Sequence, residues 1–248
     1  MANAKINQLK PQYGFVGLFD IMGFGQMIAS NNLEKSAQVV FELFQIVKDV
    51  RYEQYPQNLY NNIPECFIFS DSILVYQLQT LNRSSEEADL SRSCFIKLCG
   101  RLTAEFLMRG LPVKGAIGKG EFAIIEEKSF TGKCIVEAHA LSESLQCAGC
   151  AVLPTLESEF SKDGETLEDS FQEDLLYWQA PLKNSPPQKL LMLNFLRHVT
   201  KSAGEFSRIT LIEKFSEHGK GINLEVLQKV FETEKFLAEC KKHIKSGG

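Results

Sequence analysis

The sequence predicts an α+β fold with a βαββαβ core, and three observations carry that prediction. Residues 13–19 are apolar almost throughout, as a strand covered on both faces requires. Two further apolar runs, residues 66–69 and 73–78, flank a short polar turn, which is the pattern of a β-hairpin. Apolar residues recur at helical spacing over residues 31–50 and 84–108.

The first predicted strand, Tyr13–Phe19, ends on the acid Asp20, and Gly23 and Gly25 follow where a helix should begin. A helix N-terminus offers free N–H groups to an anion, and a carboxylate can hold the cation that bridges to it. This turn is therefore a candidate site for a metal ion and a phosphate. Apolar residues at helical spacing then indicate a helix from about residue 31 to residue 50: Leu33, Ala37, Val40, Phe41, Phe44 and Val47.

The predicted hairpin pairs Cys66–Phe69 with Ile73–Leu78 and places a second acid, Asp71, at its turn. Ser84 and Glu87 fit a capping box that opens the next helix. That helix should run to about residue 108, where Gly110 and Pro112 follow and stop it: its predicted inward residues are Leu90, Cys94, Phe95, Leu98, Leu102 and Phe106.

The core should end with a pair of strands, a short helix and a last strand. The strands are Val113–Gly118 and Glu121–Ile125, with Gly115, Gly118 and Gly120 between and within them. The helix is Ile135–Leu145 and the last strand Cys150–Leu153. This order is the ferredoxin-like, polymerase-palm arrangement, an antiparallel sheet with helices on one face. Its first and third strands are neighbours, so Asp20 and Asp71 should lie close together.

We expect residues 10–155 to form this core and residues 156–248 to form a C-terminal extension that packs on it. The extension begins with the strongly acidic stretch TLESEFSKDGETLEDSFQED, which predicts a solvated connection. A strand is expected at Leu175–Leu182 and a helix over Leu190–Ala203, capped by the Pro186-Pro187 pair. An amphipathic helix at Leu224–Ile244 should follow.

The composition narrows the partners and the compartment. The net charge of −4 gives no global basic field, so no nucleic-acid binding is expected. No apolar run reaches the ~18 residues of a membrane span, so no membrane is expected either. The seven cysteines are odd in number and lie mostly in apolar runs, and no signal peptide precedes them, which predicts buried thiols in a reducing cytoplasm.

Two strand-end carboxylates that converge on one point are the core of a two-metal phosphoryl-transfer site. Asp20 and Asp71 are therefore the candidate metal ligands, with Mn²⁺ or Mg²⁺ as the ions. A strand-end aspartate is also a common helix or turn cap, and either acid alone fits that interpretation equally well. The pair, in this topology, favours the metal site.

Four segments resemble the catalytic domain of class III nucleotidyl cyclases: FDIMGFG, FSDSI, RGLPVKGAIGKGE and GKCIVEAHAL, in this order and spread over roughly residues 15–153. The resemblance implies two divalent ions between Asp20 and Asp71, with the Ile21 carbonyl as an extra ligand. It implies a nucleoside triphosphate substrate whose 3′-hydroxyl attacks the α-phosphorus and expels pyrophosphate. It also implies a head-to-tail homodimer with composite active sites. The predicted nucleotide-binding residues are Gly23, Phe24, Gly25, Phe67 and Ser70.

The chain departs from the family's pattern at several positions. Val136 and Ala140 stand where the family carries the Asn and Arg that orient the ribose and stabilise the transition state. Phe67 stands where a lysine reads a purine, and that lysine's partner falls near Ser129. Lys114, Arg109, Lys119 and Lys133 could each replace the arginine, and Lys114 is the candidate catalytic residue among them. Cyclases altered in this way resemble the pyrimidine cyclases of the Pycsar antiphage systems, which make cyclic UMP or cyclic CMP.

Three alternatives stay open. A purine cyclase or a diguanylate cyclase would share the core, although the latter's Gly-Gly-acid-Glu-Phe hairpin is replaced here by residues 69–72. A cyclase-like module that binds a nucleotide or a partner without catalysis would explain the missing Asn and Arg. Retention of both acids argues against that module, because a pure binding domain has little need to hold two like charges together.

Overall fold

The computed structural model describes residues 11–52, 63–79, 85–125, 129–161, 166–199 and 206–246. The strands are β1 Gln12–Ile21, β2 Glu65–Phe69, β3 Ser72–Leu78, β4 Val113–Ile125, β5 Ser129–Thr131, β6 Gly149–Val152, β7 Leu175–Ala180 and β8 Gln188–Leu193. The α-helices are α1 Phe24–Ser30, α2 Leu33–Tyr52, α3 Ser85–Met108, α4 Lys133–Ser144, α5 Pro154–Glu157, α6 Arg208–Ser216 and α7 Leu224–Ser246. Short 3-10 helices lie at Phe195–His198 and Glu217–Gly219.

The strands form one sheet in the order β2-β3-β1-β4-β6-β8-β7, and β5 pairs with β4. Strand β1 lies at the centre, antiparallel to both β3 and β4. Its residues Phe15, Val16 and Phe19 are buried, as its apolar sequence predicts for a covered strand. The predicted α+β fold is confirmed, and so is the predicted contact between the first and third strands.

Helices cover both faces of the sheet, whereas the sequence predicted helices on one face alone. Alternate β1 residues such as Phe15 and Phe19 share the main core cluster with α2 and α3. The opposite set, Val16 and Leu18, packs with Cys134 and Ala138 of α4. The short helix therefore lies on the second face, where it contacts β1 and β4.

The predicted pair of strands at 113–118 and 121–125 is wrong, because β4 is one continuous strand of 13 residues. Its glycines serve close packing and make no turn. A Cβ at Gly115 would lie 2.4 Å from the Phe19 ring, and one at Gly118 would lie 2.6 Å from Leu153. Glycine therefore lets neighbouring residues lie against a strand that stays extended.

The predicted helix over residues 190–203 is also wrong. Residues 188–193 form β8, which pairs with β7 along its length and with β6 through Ala151 and Met192. Leu191, Met192 and Leu193 are all fully buried. A short continuous apolar run is as typical of a covered strand as of a buried helix, so periodicity alone could not separate the two.

The acidic stretch after residue 156 is not a solvated connection in its described part. Leu156, Phe160 and Phe171 belong to the main core cluster. Glu159 accepts hydrogen bonds from Lys119 of β4 and Arg92 of α3, which fastens the stretch to the core. Residues 162–165 of this stretch lie outside the described residues.

The remaining predictions about helices hold with small changes. Helix α3 ends at Met108, and Gly110 follows it with a φ of +69° in the left-handed region. Five of its six predicted inward residues are buried, but Leu90 is exposed. The predicted cap Ser84 lies outside the described residues. The helices predicted at 31–50, 135–145 and 224–244 correspond to α2, α4 and α7, whereas α6 was not predicted.

Six of the seven cysteines are buried and Cys66 is partly buried, with all seven as free thiols, as predicted. In the part of the chain that the structure describes, every helix falls short of the length or the apolarity that a bilayer crossing needs.

Candidate active site

The two predicted metal acids meet at one end of the sheet centre. Asp20 is the penultimate residue of β1 and pairs with Ser72 of β3 and Lys114 of β4. Asp71 lies in the turn between β2 and β3. The Ile21 N–H donates a 2.9 Å hydrogen bond to the Asp71 carbonyl, which joins the two segments directly. The sequence-based prediction that the two acids become neighbours is confirmed.

The hairpin turn that carries Asp71 has a strained backbone. Phe69 pairs with Ser72, so the loop consists of Ser70 and Asp71 alone. Ser70 has a φ of +55°, the left-handed value that a two-residue type II′ turn needs at its first central position. Serine is disfavoured there relative to glycine, and such outliers cluster at functional sites. The strain fixes the direction in which the Asp71 backbone enters the site.

A lysine and a third acid complete the charge cluster. The Lys114 ammonium lies 3.5 Å from a carboxylate oxygen of Asp20 and 2.5 Å from one of Glu143 on α4. Burial raises the pKa of Asp20, the Lys114 charge opposes that rise, and the charges of Asp71 and Glu143 add to it. The hydrogen bond from Lys114 lowers the pKa of Glu143. Lys114 is therefore shared between two carboxylates and held more closely by Glu143.

Sequence reasoning missed Glu143, and the spacing of the chain offers no signal for it. Glu143 and Lys114 are 29 positions apart and meet because α4 packs across β4. The Ser142 hydroxyl also donates a hydrogen bond to the Lys114 carbonyl, which fixes this end of α4 over the site. An amphipathic-helix pattern shows which residues face the sheet but not which strand residue they meet.

The glycine turn after β1 has one position that requires glycine. Gly23 is the N-cap of α1 with a φ of +77°, and a Cβ there would lie 3.0 Å from the side chain of Lys220. A Cβ at Gly25 would meet open space. Phe24 is partly buried and packs against the main core. The nucleotide-binding role of these three residues stays a prediction.

Phe67 belongs to a row of aromatic rings across the second face of the sheet. Its ring centroid lies 5.1 Å from that of Phe130 on β5, and Phe130 lies 5.6 Å from Tyr76 on β3. Tyr76 in turn lies 5.9 Å from Phe122 on β4. These distances are typical of packed aromatic pairs. The position predicted to read a base is therefore part of a rigid apolar wall.

Val136 and Ala140, which stand where the resembled family carries a catalytic Asn and Arg, lie on the outer side of α4. Val136 is 66% exposed and Ala140 is exposed as well. Cys134 and Ala138, on the opposite side of the helix, are buried against the sheet. The outer side therefore faces away from the acids of its own chain.

The donor set fits divalent ions held partly by substrate. Within the described ranges, no three His, Cys, Asp or Glu residues cluster closely enough to hold a metal by themselves. Two carboxylates fit Mg²⁺, which usually binds one or two carboxylates together with substrate phosphates and waters. Ile21 is buried and ends β1 beside both acids, so its carbonyl stays the predicted extra ligand.

The raised pKa of Asp20 predicts that this residue destabilises the metal-free fold. The folded chain binds the Asp20 proton more tightly than the unfolded chain does, so ionisation costs stability as the pH rises through the shifted pKa. Asp20→Asn should therefore raise the melting temperature at pH 7, and the gain should vanish as the pH falls toward the ordinary value of 3.8. Thermal unfolding in EDTA, with the exposed Asp49→Asn as control, measures it. A lower melting temperature for Asp20→Asn at pH 7 would contradict the prediction.

The sheet order, the two acids and the hairpin define a class: the chain has the fold of the class III nucleotide cyclase catalytic domains, which comparison with solved structures supports. The catalytic core of a rhodopsin-guanylyl cyclase with converted specificity, solved with ATPαS, superposes with a TM-score of 0.50 at 8% identity, covering 75% of this chain and 98% of that one. At such identity the likeness establishes the fold alone.

Two bacterial adenylyl cyclases give similar superpositions. CyaB from P. aeruginosa matches with a TM-score of 0.49 at 11% identity, covering 75% of this chain and 95% of that one. A bacterial light-regulated adenylyl cyclase matches with a TM-score of 0.49 at 10% identity, covering 86% of this chain and 58% of the longer solved chain. No protein-family model and no curated protein matches the sequence.

Proposed function

We propose that the protein is a nucleotide cyclase that converts a pyrimidine nucleoside triphosphate to its 3′,5′-cyclic monophosphate and pyrophosphate. The observation that carries the proposal is the meeting of Asp20 and Asp71 at the end of β1, tied by the bond between Ile21 and the Asp71 carbonyl. UTP is the preferred substrate on the resemblance to pyrimidine cyclases, with CTP as the alternative.

Asp20 and Asp71 would hold two Mg²⁺ or Mn²⁺ ions, with the Ile21 carbonyl beside them. When bound, such ions lower the pKa of the 3′-hydroxyl and neutralise the triphosphate. The chain itself supplies position: the antiparallel pairing of β1 with β3 sets the spacing of the two acids. The burial that raises the pKa of Asp20 also makes a cation at that carboxylate more favourable than it would be in water.

Lys114 would serve as the positive group that the missing arginine supplies elsewhere. An ammonium group has three N–H donors, and two of them can be directed at Asp20 and Glu143. The third can reach a phosphoryl oxygen of a substrate bound at Asp20. Glu143 keeps this lysine from closing fully on Asp20, so that a cation can still bind there.

Phe67 supports the choice of a pyrimidine. If a base binds against Phe67, this ring and its neighbour Phe130 would fill space that a purine needs, and Phe67 would offer no hydrogen-bond partner to a purine edge. Unpaired polar groups cost about 1–3 kcal/mol each. Two such losses give a discrimination on the order of 10² or more.

Incubation with equal concentrations of ATP, GTP, CTP and UTP plus Mn²⁺, followed by mass spectrometry of the products, tests the proposal. We expect a cyclic pyrimidine nucleotide, more of it cyclic UMP, and an equal amount of pyrophosphate. Cyclic AMP or cyclic GMP as the dominant product would overturn the pyrimidine assignment while leaving the metal site in place. Phe67→Ala is the matched variant. The space that this substitution opens should raise the share of cyclic purine nucleotides among the products.

A second candidate is a cyclase-like module that binds a nucleotide without turning it over. The specific observation in its favour is that Lys114 already lies 3.5 Å from a carboxylate oxygen of Asp20, as in a structural ion pair. Under this alternative, nucleoside triphosphates with Mn²⁺ would bind in a titration calorimeter, and the bound nucleotide would be recovered unchanged.

The proposal extends to assembly and context. The outward position of Val136 and Ala140 supports a symmetric homodimer with two composite sites, in which this side of α4 would lie over the acids of the partner chain. On the resemblance to the Pycsar cyclases, the product would be a second messenger of antiphage defence in the cytoplasm. Residues 156–248 would act as an extension of the catalytic core.

A further inference from the structure

A cavity with a mixed polar and apolar lining lies beside the turn that follows Asp20, between the core and the C-terminal extension. Its volume is about 200 Å³, several times the ~30 Å³ share of one water molecule. The core contributes Met22, Gly23 and Gln26 from the turn after β1 and from α1. The extension contributes Lys220, Asn223 and Lys229. Two lysines and two amide side chains around one cavity fit an anion with several oxygen atoms.

The cavity borders the turn that follows Asp20, because Met22 and Gly23 of that turn line it. Met22 follows Asp20 by two positions, and its N–H donates a 2.9 Å hydrogen bond to the Pro112 carbonyl at the start of β4. On the other side of the cavity, the pKa of Glu225 is lowered mainly by Lys229 and further by the charges of Lys183 and Lys114. Lys114 is the lysine that pairs with Asp20. The cavity therefore lies on the side of the candidate metal site where the chain leaves β1.

Lys220 forms the inner wall and adds positive charge. It is only 5% exposed, and its ammonium donates a 2.5 Å hydrogen bond to the Gly110 carbonyl rather than to a carboxylate. Burial lowers the pKa of Lys220 to about 8, so its charge is kept at neutral pH but is poorly solvated. A nearby anion would relieve that cost. The aliphatic part of the Lys220 side chain also packs against Gly23, so this lysine and the turn after β1 hold each other in place.

Lys229 already binds a carboxylate at the cavity. Its ammonium donates a 2.7 Å hydrogen bond to Glu225, one turn earlier on α7. The Glu225 side chain is 69% exposed, so it can leave toward solvent without disturbing packed residues. Glu225 thus occupies the donor that a phosphate oxygen would use, and it competes with any anion that enters.

We propose that this cavity binds the terminal phosphates of the nucleoside triphosphate, and the pyrophosphate that leaves, through Lys229 and Gln26 with Lys220 as the charged wall. The proposal rests on the proposed function for the identity of the ligand. It assigns a role to the C-terminal extension: the extension completes the phosphate side of the active site in the same chain.

Titration calorimetry with inorganic pyrophosphate and with tripolyphosphate in EDTA tests the cavity without metal ions. Lys229→Gln should weaken the binding of both probes about tenfold, since it removes a charge-assisted hydrogen bond. Glu225→Gln should act in the opposite direction and tighten binding about two- to fivefold, because it removes a competing negative charge. Lys235→Gln and Glu239→Gln on the same helix are the matched controls, and both should leave binding unchanged.

A wild-type protein that does not bind pyrophosphate in EDTA would overturn the proposal. So would a Lys229→Gln variant that binds like wild type, or a Lys235→Gln variant that loses as much, because binding would then follow net charge alone. Steady-state kinetics separate this proposal from the cyclase proposal: Lys229→Gln should raise KM for the triphosphate more than it lowers kcat. If pyrophosphate binding follows the expected pattern but no cyclic nucleotide forms, the phosphate site stands and the cyclase assignment falls. If Lys229→Gln and Glu225→Gln both turn over the triphosphate with unchanged KM and bind pyrophosphate like wild type, the cyclase assignment stands and the phosphate site falls.

Discussion

Replacing Asp71 with alanine should abolish cyclic nucleotide formation while the protein stays folded, and Asp20→Ala should do the same. Each acid lies at the end of the pairing between β1 and β3. The hydrogen bonds of the sheet at these positions involve backbone atoms, which an alanine keeps. Loss of either side chain removes one of the two carboxylates that the proposed ions share. Product formation from UTP with Mn²⁺, measured by mass spectrometry, gives the result.

The two variants need controls for folding and for charge. Asp49→Asn, an exposed acid on α2, should retain full activity. Circular dichroism and thermal unfolding should show both alanine variants folded, with Asp20→Ala no less stable than wild type because its ionised carboxylate is poorly solvated. Activity near the wild-type level for either alanine variant in Mn²⁺ would refute the assignment of the metal site.

Mixing two inactive variants should restore activity if the sites are shared between chains. Ala140→Trp adds a bulky ring to the outer side of α4, where it disturbs no packed residue of its own chain but would block a partner's site. Asp71→Ala removes the acid at the other end. In a heterodimer of the two, one composite site carries both defects and the other carries neither, so up to half of the wild-type activity should return.

This experiment depends on a verified heterodimer, for which two different affinity tags and sequential purification suffice. Ala140→Trp alone should be inactive and should melt at the wild-type temperature. If a verified heterodimer shows no recovery, or if Ala140→Trp alone is fully active, the acids and α4 of the partner do not share a site.

The fold was largely predictable because its signals are local. The apolar strand β1, the hairpin around Asp71 and the end of α3 at Gly110 each follow from a few neighbouring residues. The neighbourhood of Asp20 and Asp71 then followed from topology, since strands one and three are adjacent in this arrangement. The fold was therefore predictable from local sequence patterns, and the proximity of Asp20 and Asp71 from the order in which the strands are connected.

The errors occurred where local signals compete with tertiary packing. Gly118 and Gly120 suggested a turn, but both lie in a continuous strand: a Cβ at Gly118 would lie 2.6 Å from Leu153, and one at Gly120 would lie 3.1 Å from Cys134. The apolar run of β8 has no periodicity that distinguishes strand from helix. Phe160 and Phe171 lie among acids whose charge predicted solvation, yet both rings pack against each other in the core, with centroids 4.7 Å apart.

The site residues that sequence reasoning missed are those that act across long stretches of chain. Glu143 reaches Lys114 only because α4 crosses β4, and Lys220 reaches Gly23 from the far end of the sequence. Neither carries a motif, and each is an ordinary charged residue by its neighbours alone. Only the three-dimensional packing distinguishes them from surface charges.

The placement of β7 and β8 bears on how the nascent chain matures on the ribosome. Strand β6 pairs with β4 on one side, and its other side is closed only by β8, which is translated later. Until then the emerging polypeptide presents an open strand edge and an unfilled part of the core that Leu191 and Leu193 will occupy. Unpaired edges and exposed apolar surface are sites of self-association, so we expect the chain to be most prone to aggregation in this interval. The edge of β6 and the open part of the core are thus covered only after the last third of the sequence has been synthesised.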